Sequence, residues 1–178
     1  MQEPRKVMLY IAMSLDGYIA DKEDDLSFLS LVEKEGEDYG YSEFIKTVDT
    51  VIMGRKTYDK VLSFGIHFPH SDKKTYILTR TPRASIGNTE FYTKDISILI
   101  HAIKAEKGKH IFIDGGAQLV SLLMKEKLID EFVISIIPII LGDGIALFKS
   151  QSPEITLELK SAIHFDSGLV QLRYFKVS

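Results

Sequence analysis

Three short stretches of this 178-residue chain bring glycine, cations and hydroxyls together as anion binding requires. Residues 51–58, VIMGRKTY, run from a buried-strand pattern into Gly54, Arg55, Lys56 and Thr57 at a helix start. Glycine permits close approach to the backbone, the free amides of a helix N-terminus attract an anion, and the two cations add charge beside it. Residues 77–80, ILTR, end a second strand in Thr79 and Arg80, whose planar guanidinium suits a phosphate monoester. Residues 111–118, IFIDGGAQ, bring Gly115, Gly116, Ala117 and Gln118 to another helix start, where a pyrophosphate can lie against the backbone; the spacing is not GxGxxG. Each stretch alone also reads as a tight turn with solvated cations. Together they fall at strand ends, where open α/β sheets bind ligands.

Three carboxylates are spaced to serve a reaction nearby: Asp16 after the first strand, Asp38 before the VIMG strand, and Asp114 just ahead of the glycine pair. A carboxyl raised in pKa by burial, or a water that it orients, can deliver a proton. Asp16 equally reads as an Asp-Gly turn, and Asp38 as part of a solvated loop. Tyr18, Phe28 and Tyr39 are able to stack on a flat ring or to fill the core. His67 and His70 have H-x-x-H spacing but bracket Phe68 and Pro69 with no third ligand, so no metal site is expected. His101, His110 and His164 are isolated. The run Glu23, Asp24, Asp25 lacks the pattern of a calcium loop and is expected to be a mobile loop near the site mouth.

The elements that must position these residues alternate. Residues 7–13 (VMLYIAM), 50–53, 75–79, 90–93, 110–114 and 132–137 read as strands, the first nearly continuous in apolar character as befits a central parallel strand. Short helices are expected at 28–32 and 43–48, and longer ones at 57–62, from an Asp95 cap through Lys107, and after Gly116 with Leu119, Leu122, Leu123 and Leu128 as the apolar stripe. Residues 156–177 read as a terminal hairpin turning around 166–168. The architecture implied is α/β with a mixed sheet.

Composition sets the bounds. With 45% hydrophobic and 26% charged residues, one domain over 1–178 is expected. There are no cysteines, which excludes disulfides, thiolate metal sites and a cysteine nucleophile and points to the cytoplasm. A net charge of −3 offers no field for nucleic acid. The apolar run 136–141 is far short of a membrane span, and the N-terminus lacks the features of a secretory signal.

VIMGRKTYD, YILTR and IFIDGGAQL, in that order, resemble the dihydrofolate-reductase-like superfamily, and SLDGYIAD with PIILGDGIALF resembles the branch typified by the C-terminal reductase domain of the riboflavin-biosynthesis deaminase/reductase. The resemblance implies a mainly parallel eight-stranded sheet with NADPH along the strand ends. By position it gives Gly54, Arg55, Lys56 and Thr57 to the cofactor phosphates, Thr79 and Arg80 to the adenosine ribose and its extra phosphate, and Gly115, Gly116, Ala117 and Gln118 to the pyrophosphate. Hydride would pass to an imine or carbonyl of a pyrimidine- or pterin-like ring near Asp16, Asp38 and Tyr18. The spacing of Asp38 ahead of Gly54 resembles the pterin-binding acid of folate reductases.

Two departures bear on the substrate. The branch usually has lysine after SLDG, where this chain has Tyr18, and glutamate before the glycine pair, where it has Asp114. Loss of the lysine removes an anchor for a phosphorylated sugar. The zinc deaminase that accompanies the branch needs cysteines, so a reductase alone is expected. The readings that remain are a riboflavin-type or related heterocycle reductase, a true dihydrofolate reductase, and a non-catalytic NADPH-binding sensor. The apolar character of 132–141 and 169–177 leads to the expectation of a homodimer along that side.

Overall fold

The alternation read from the sequence is realised in a computed structural model that describes residues 3–150 and 152–177. Met1, Gln2, Gln151 and Ser178, part of the expected 1–178 domain, lie outside the described residues. In chain order the elements are β1 (Val7–Ser14), β2 (Tyr18–Ala20), a 3-10 helix (Ser27–Val32), α1 (Tyr41–Lys46), β3 (Val48–Gly54), α2 (Arg55–Ser63), β4 (Lys74–Leu78) and β5 (Thr89–Tyr92). They continue with α3 (Ile96–Ala105), β6 (His110–Ile113), α4 (Ala117–Lys125), β7 (Glu131–Ile137), β8 (Ile145–Ala146), β9 (Leu157–His164) and β10 (Val170–Lys176).

The main sheet has eight strands in the order β5-β4-β3-β6-β1-β7-β10-β9. From β5 to β7 all neighbours are parallel; β10 runs antiparallel to β7, and β9 antiparallel to β10. This is the mixed, mainly parallel sheet with a C-terminal hairpin expected above. Because the parallel strands share one direction, the ends of β1, β3, β4, β6 and β7 meet along a single edge. The chain steps outward from β3 to β5, then returns to insert β6 between β3 and β1, and that reversal opens the edge for a ligand.

Both faces of the central strands are covered, which accounts for their continuous apolar spelling. On one face Val7, Leu9, Ile111, Ile113, Phe132 and Ile134 pack under α3 and α4, which contribute Ile96, Leu99, Ile100 and Ile103 and Leu119, Val120 and Leu123. The other face carries Val51, Met53 and Phe112 beneath α1 and α2, with Phe44 and Tyr58 packed on them. Each such aliphatic side chain, fully buried, stabilises the fold by about 1.5–3 kcal/mol.

The departures from expectation have local causes. The first long-range pairing of β3, Val48 with His110, takes Val48 from the helix expected at 43–48. Asp95 caps α3 by accepting from the Ser97 amide, but the helix stops at Ala105 because Glu106 is extended. In α4 the stripe uses Val120 while Leu122 is 39% exposed, and Leu128 lies beyond the helix end. The short β2–β8 sheet, Tyr18 opposite Ala146, was not anticipated. Strand β7 is interior, flanked by β1 and β10, so the apolarity of 132–137 is explained by the core rather than by a free edge.

His110 opens β6, and its Nδ1 accepts the Lys6 amide hydrogen at 3.2 Å, tying the start of β1 to β6. Burial pushes its pKa below the ordinary value, and the charge of Lys6 adds to this. Protonation therefore favours the unfolded chain: the contribution is present above the usual histidine pKa of about 6.5 and is lost as pH falls through it. Urea midpoints of the protein are expected to fall more steeply between about pH 7 and 5.5 than those of His110→Asn, whose amide oxygen at the δ position accepts the same hydrogen without titrating.

Candidate active site

Strands β3 and β6 are adjacent, Ile52 beside Ile113, so the helices that follow them start side by side. Gly54 precedes α2 and Gly116 precedes α4, both extended and both without a side-chain cap, which leaves first-turn amides of the two helices available to an anion. The Gly54 amide donates to Gly115 O at 2.9 Å and joins the two turns. Gly115 has φ +100°, a conformation suited to glycine, and its peptide to Gly116 is cis. A Cβ on Gly116 would stand 3.0 Å from Thr57 Oγ1, so the missing side chain is what allows α2 to approach the β6 turn.

Cations surround this cradle. Arg55 pairs along α2 with Asp59 at 2.9 Å, whereas Lys56 and Arg80 are exposed and have no ion pair among the described residues. Thr79 Oγ1 accepts the Thr81 amide at 3.1 Å and turns the chain as it leaves β4. Gln118 is exposed in the first turn of α4, but Ala117 is 7% exposed and packs in the core, so only its backbone can serve a ligand. Two uncapped helix starts, the exposed cations Lys56 and Arg80 and a turn of glycines without side chains fit the phosphates of a nicotinamide dinucleotide.

Across β6 and β1 lies a cavity of 570 Å³ lined by Tyr10, Ala12, Leu29, Val32, Tyr39, Ser135, Ile137 and Leu169, with Glu33, Lys34, Glu35, Glu37 and Asp38 at its polar side. Three of the lining residues are tied together by Gln171, which is not itself in the lining: its Nε2 donates toward Tyr10 Oη (3.1 Å), Tyr39 O (3.1 Å) and Ser135 Oγ (3.2 Å), and Tyr10 Oη donates to Tyr39 O at 2.8 Å. Burial pushes the Tyr10 and Tyr41 hydroxyls up, helped by the charges of Asp38 and Asp114 respectively; both stay hydrogen-bond donors at neutral pH. Leu9 pairs with Ile113, so Tyr10 of the cavity lining and Asp114 of the glycine turn each follow directly on one strand pair.

The three expected carboxylates have separate fates. Asp16 accepts from Ser14 Oγ (2.6 Å), Leu141 N (3.1 Å) and Gly142 N (2.7 Å), bonds that hold its carboxyl below the usual range and pin the 139–142 loop to β1. Asp38 lines the cavity while accepting from Gly40 N and Ser42 N, both at 2.9 Å; the Ser42 side chain first, then these amides, hold its carboxyl below the usual range. Neither is the carboxyl raised by burial that was expected; both are exposed anions occupied by backbone amides. Asp114 is half-buried and takes a hydrogen bond from the ring of His70.

Among the aromatic candidates only Tyr39 lines the cavity, its ring edge-on to Phe165 and its hydroxyl bonded to Val32 O and Ser167 Oγ. Phe28 is core, buried with Val32, Ile137 and Leu169, and Tyr18 is half-buried in β2. The acidic run 23–25 is anchored rather than loose: Asp21 accepts the amides of Glu23 and Asp25, and Lys60 of α2 pairs with Asp24. His67 bonds Ser71 while His70 turns inward, so the H-x-x-H pair shares no centre. Tyr10, Ser135, Gln171 and His70 were missed: three sit inside strand patterns that read as core or edge, and the fourth in a loop.

The sheet order and the helices that flank it define a dihydrofolate-reductase-like fold. The chain belongs to the RibD C-terminal domain family, whose profile matches residues 5–171. It is 44% identical over 173 residues to YwjB, an uncharacterized protein of Bacillus subtilis (strain 168), covering 97% of this chain and 98% of that one. Its structure is similar to that of a putative riboflavin biosynthesis protein from Shewanella sp. PV-4, with a TM-score of 0.88 and 31% identity over 97% of this chain and 99% of the other. The fold recurs in a diaminohydroxyphosphoribosylaminopyrimidine deaminase/5-amino-6-(5-phosphoribosylamino)uracil reductase from Thermotoga maritima, with a TM-score of 0.73 and 14% identity, where this chain's 98% coverage spans 57% of the longer protein.

The close approach at Gly116 can be checked directly. Gly116→Ala is expected to cost about 1–3 kcal/mol through overpacking against Thr57, read as a lower urea midpoint, and Thr57→Ala added to it should recover much of the loss.

Proposed function

We propose that the protein is an NADPH-dependent reductase of a small, flat, unphosphorylated pyrimidine- or pterin-like ring. The observation that carries the reading is the division of charge across β6 and β1: cations and two bare helix starts on one side, an apolar cavity with an acidic rim on the other. Four carboxylates and a single lysine among the polar lining residues disfavour a phosphate on the ring and favour a neutral or amino-bearing one. Tyr18 in place of the branch's usual lysine agrees. Free Lys56 and Arg80 support NADPH over NADH, since the extra phosphate needs cations rather than an acid at the ribose.

The bound cofactor supplies the hydride. The protein's part is orientation: Gly54, Gly116 and the amides of α2 and α4 hold phosphates, and the walls of Ala12, Val32, Ile137 and Leu169 exclude water from one face of the ring. Ser135, 5% exposed, accepts from Gln171 and keeps its own hydrogen for a ring oxygen or nitrogen. The proton comes from water at the cavity mouth, oriented by Asp38, with Asp114 directly ahead of the glycine pair. The cysteine-free chain suits the reducing cytoplasm, and its partners are this cofactor and this small molecule, with neither nucleic acid nor membrane.

Loss of NADPH absorbance with dihydrofolate, aminopyrimidine and pterin substrates tests the reading. Turnover of an unphosphorylated ring is the expected result; methotrexate-sensitive turnover of dihydrofolate alone would make it a dihydrofolate reductase, and NADPH binding without oxidation across the panel a sensor. Arg80→Ala should weaken NADPH about tenfold or more, from the loss of a charged hydrogen bond, and leave NADH unchanged.

The reading includes a homodimer formed at the outer strand β9, where Leu159 and Ile163 are 51% and 46% exposed along an unpaired edge. Light scattering at micromolar concentration should give twice the chain mass, and Leu159→Glu with Ile163→Glu should return it to one.

A further inference from the structure

His70 belongs to the loop that follows α2, yet its ring is inside the protein, 4% exposed, with Phe68 and Phe112 edge-on at 5.6 and 5.8 Å. Nε2 lies 2.9 Å from Asp114 Oδ2, and Nδ1 is buried without a hydrogen-bond partner among the described residues. A hydrogen on Nδ1 would be a donor with no acceptor, so the ring carries its hydrogen on Nε2 and donates to Asp114.

Asp114 is the last residue before the glycine pair. Its amide donates to Ile52 O at 3.0 Å, and the next carbonyl, Gly115 O, accepts from Gly54 at 2.9 Å. Gly115 and Gly116 have no side chains by which the turn can be held, so the Asp114 carboxylate is the nearest handle on it. The handle leads back to the other half of the cradle, because Phe68 packs edge-on against Tyr58 of α2 at 5.3 Å. Tyr58, Phe68, His70 and Asp114 thus bolt α2 to the end of β6 from below, while the Gly54–Gly115 bond joins them above.

We propose that His70 is a positioning residue of the glycine turn: acting through Asp114, it sets the start of α4 against the start of α2 and so governs affinity for a dinucleotide diphosphate. The inference rests on the cradle reading above, and its test separates the two. In the ligand-free protein, a long-range proton–nitrogen spectrum should show the His70 hydrogen on Nε2; a hydrogen on Nδ1 overturns the proposal.

His70→Leu is expected to move the Gly115 and Gly116 amide resonances and to weaken NADP⁺, measured by calorimetry, about tenfold. His70→Gln, which keeps an N–H at the ε position, should restore both to within about threefold of the parent. His70→Leu combined with Asp114→Ala should bind no more weakly than either alone. Unchanged glycine amides and affinity in His70→Leu, failure of glutamine to rescue, or additive losses would each overturn it. If the parent protein binds no NADP⁺ at millimolar concentration, the dinucleotide reading falls, and the glycine amides alone decide: moved by leucine and restored by glutamine they support the proposal, otherwise they refute it.

Discussion

The register between β3 and β6 is the constraint on which the site depends. Ile52 beside Ile113 puts two strand ends level, and the hydrogen bond from Gly54 to Gly115 closes the gap between the turns that leave them. A shift of one residue would turn the apolar set of β6 toward the wrong layer and carry the glycine pair away from α2. Both faces of the sheet enforce the register, with Ile111 and Ile113 under α3 and α4 and Phe112 under α1. The geometry of the two glycine turns is thus maintained by the same burial that holds the fold together.

The cavity across β1 depends on a different kind of bond. Its apolar walls come from packing, but its lining residues Tyr10 and Tyr39 are held by Gln171, which reaches from β10 across β7 to the Tyr10 hydroxyl and the carbonyl of Tyr39. The C-terminal hairpin therefore takes part in the site, although it lies at the far side of the sheet from the cradle. Arg173, one turn of the pleat along, is bonded at 2.5 Å to Glu131, 1% exposed in β7, and fixes the same strand pair.

Carboxylates near a candidate active site invite a catalytic reading, and here geometry divides them. Asp16 and Asp38 have their oxygens engaged by backbone amides, so their work is to shape the 139–142 loop and the turn before α1. Asp38 keeps a second role because its charge also borders the cavity. Asp114 is different in having a buried imidazole as partner and a place directly ahead of the glycine pair.

The sequence by itself determined the local grammar of this protein. The apolar run of β1, the Asp95 cap, the glycine at each strand-to-helix turn and the terminal hairpin are local features, governed by backbone conformation and side-chain periodicity, and they were legible one segment at a time. The ordered motifs also carried the family. Which residues meet was decided only by the tertiary structure. His70 and Asp114 are 44 residues apart, and Gln171 and Tyr10 are 161 apart; no local periodicity encodes either pair. Phe28, Val48, Phe132 and Ile134 each looked suited to another role until long-range burial assigned them to the core. Pairings of this kind are set by how the layers close on one another, and the energy that selects them belongs to the whole packed sheet rather than to any segment of the chain.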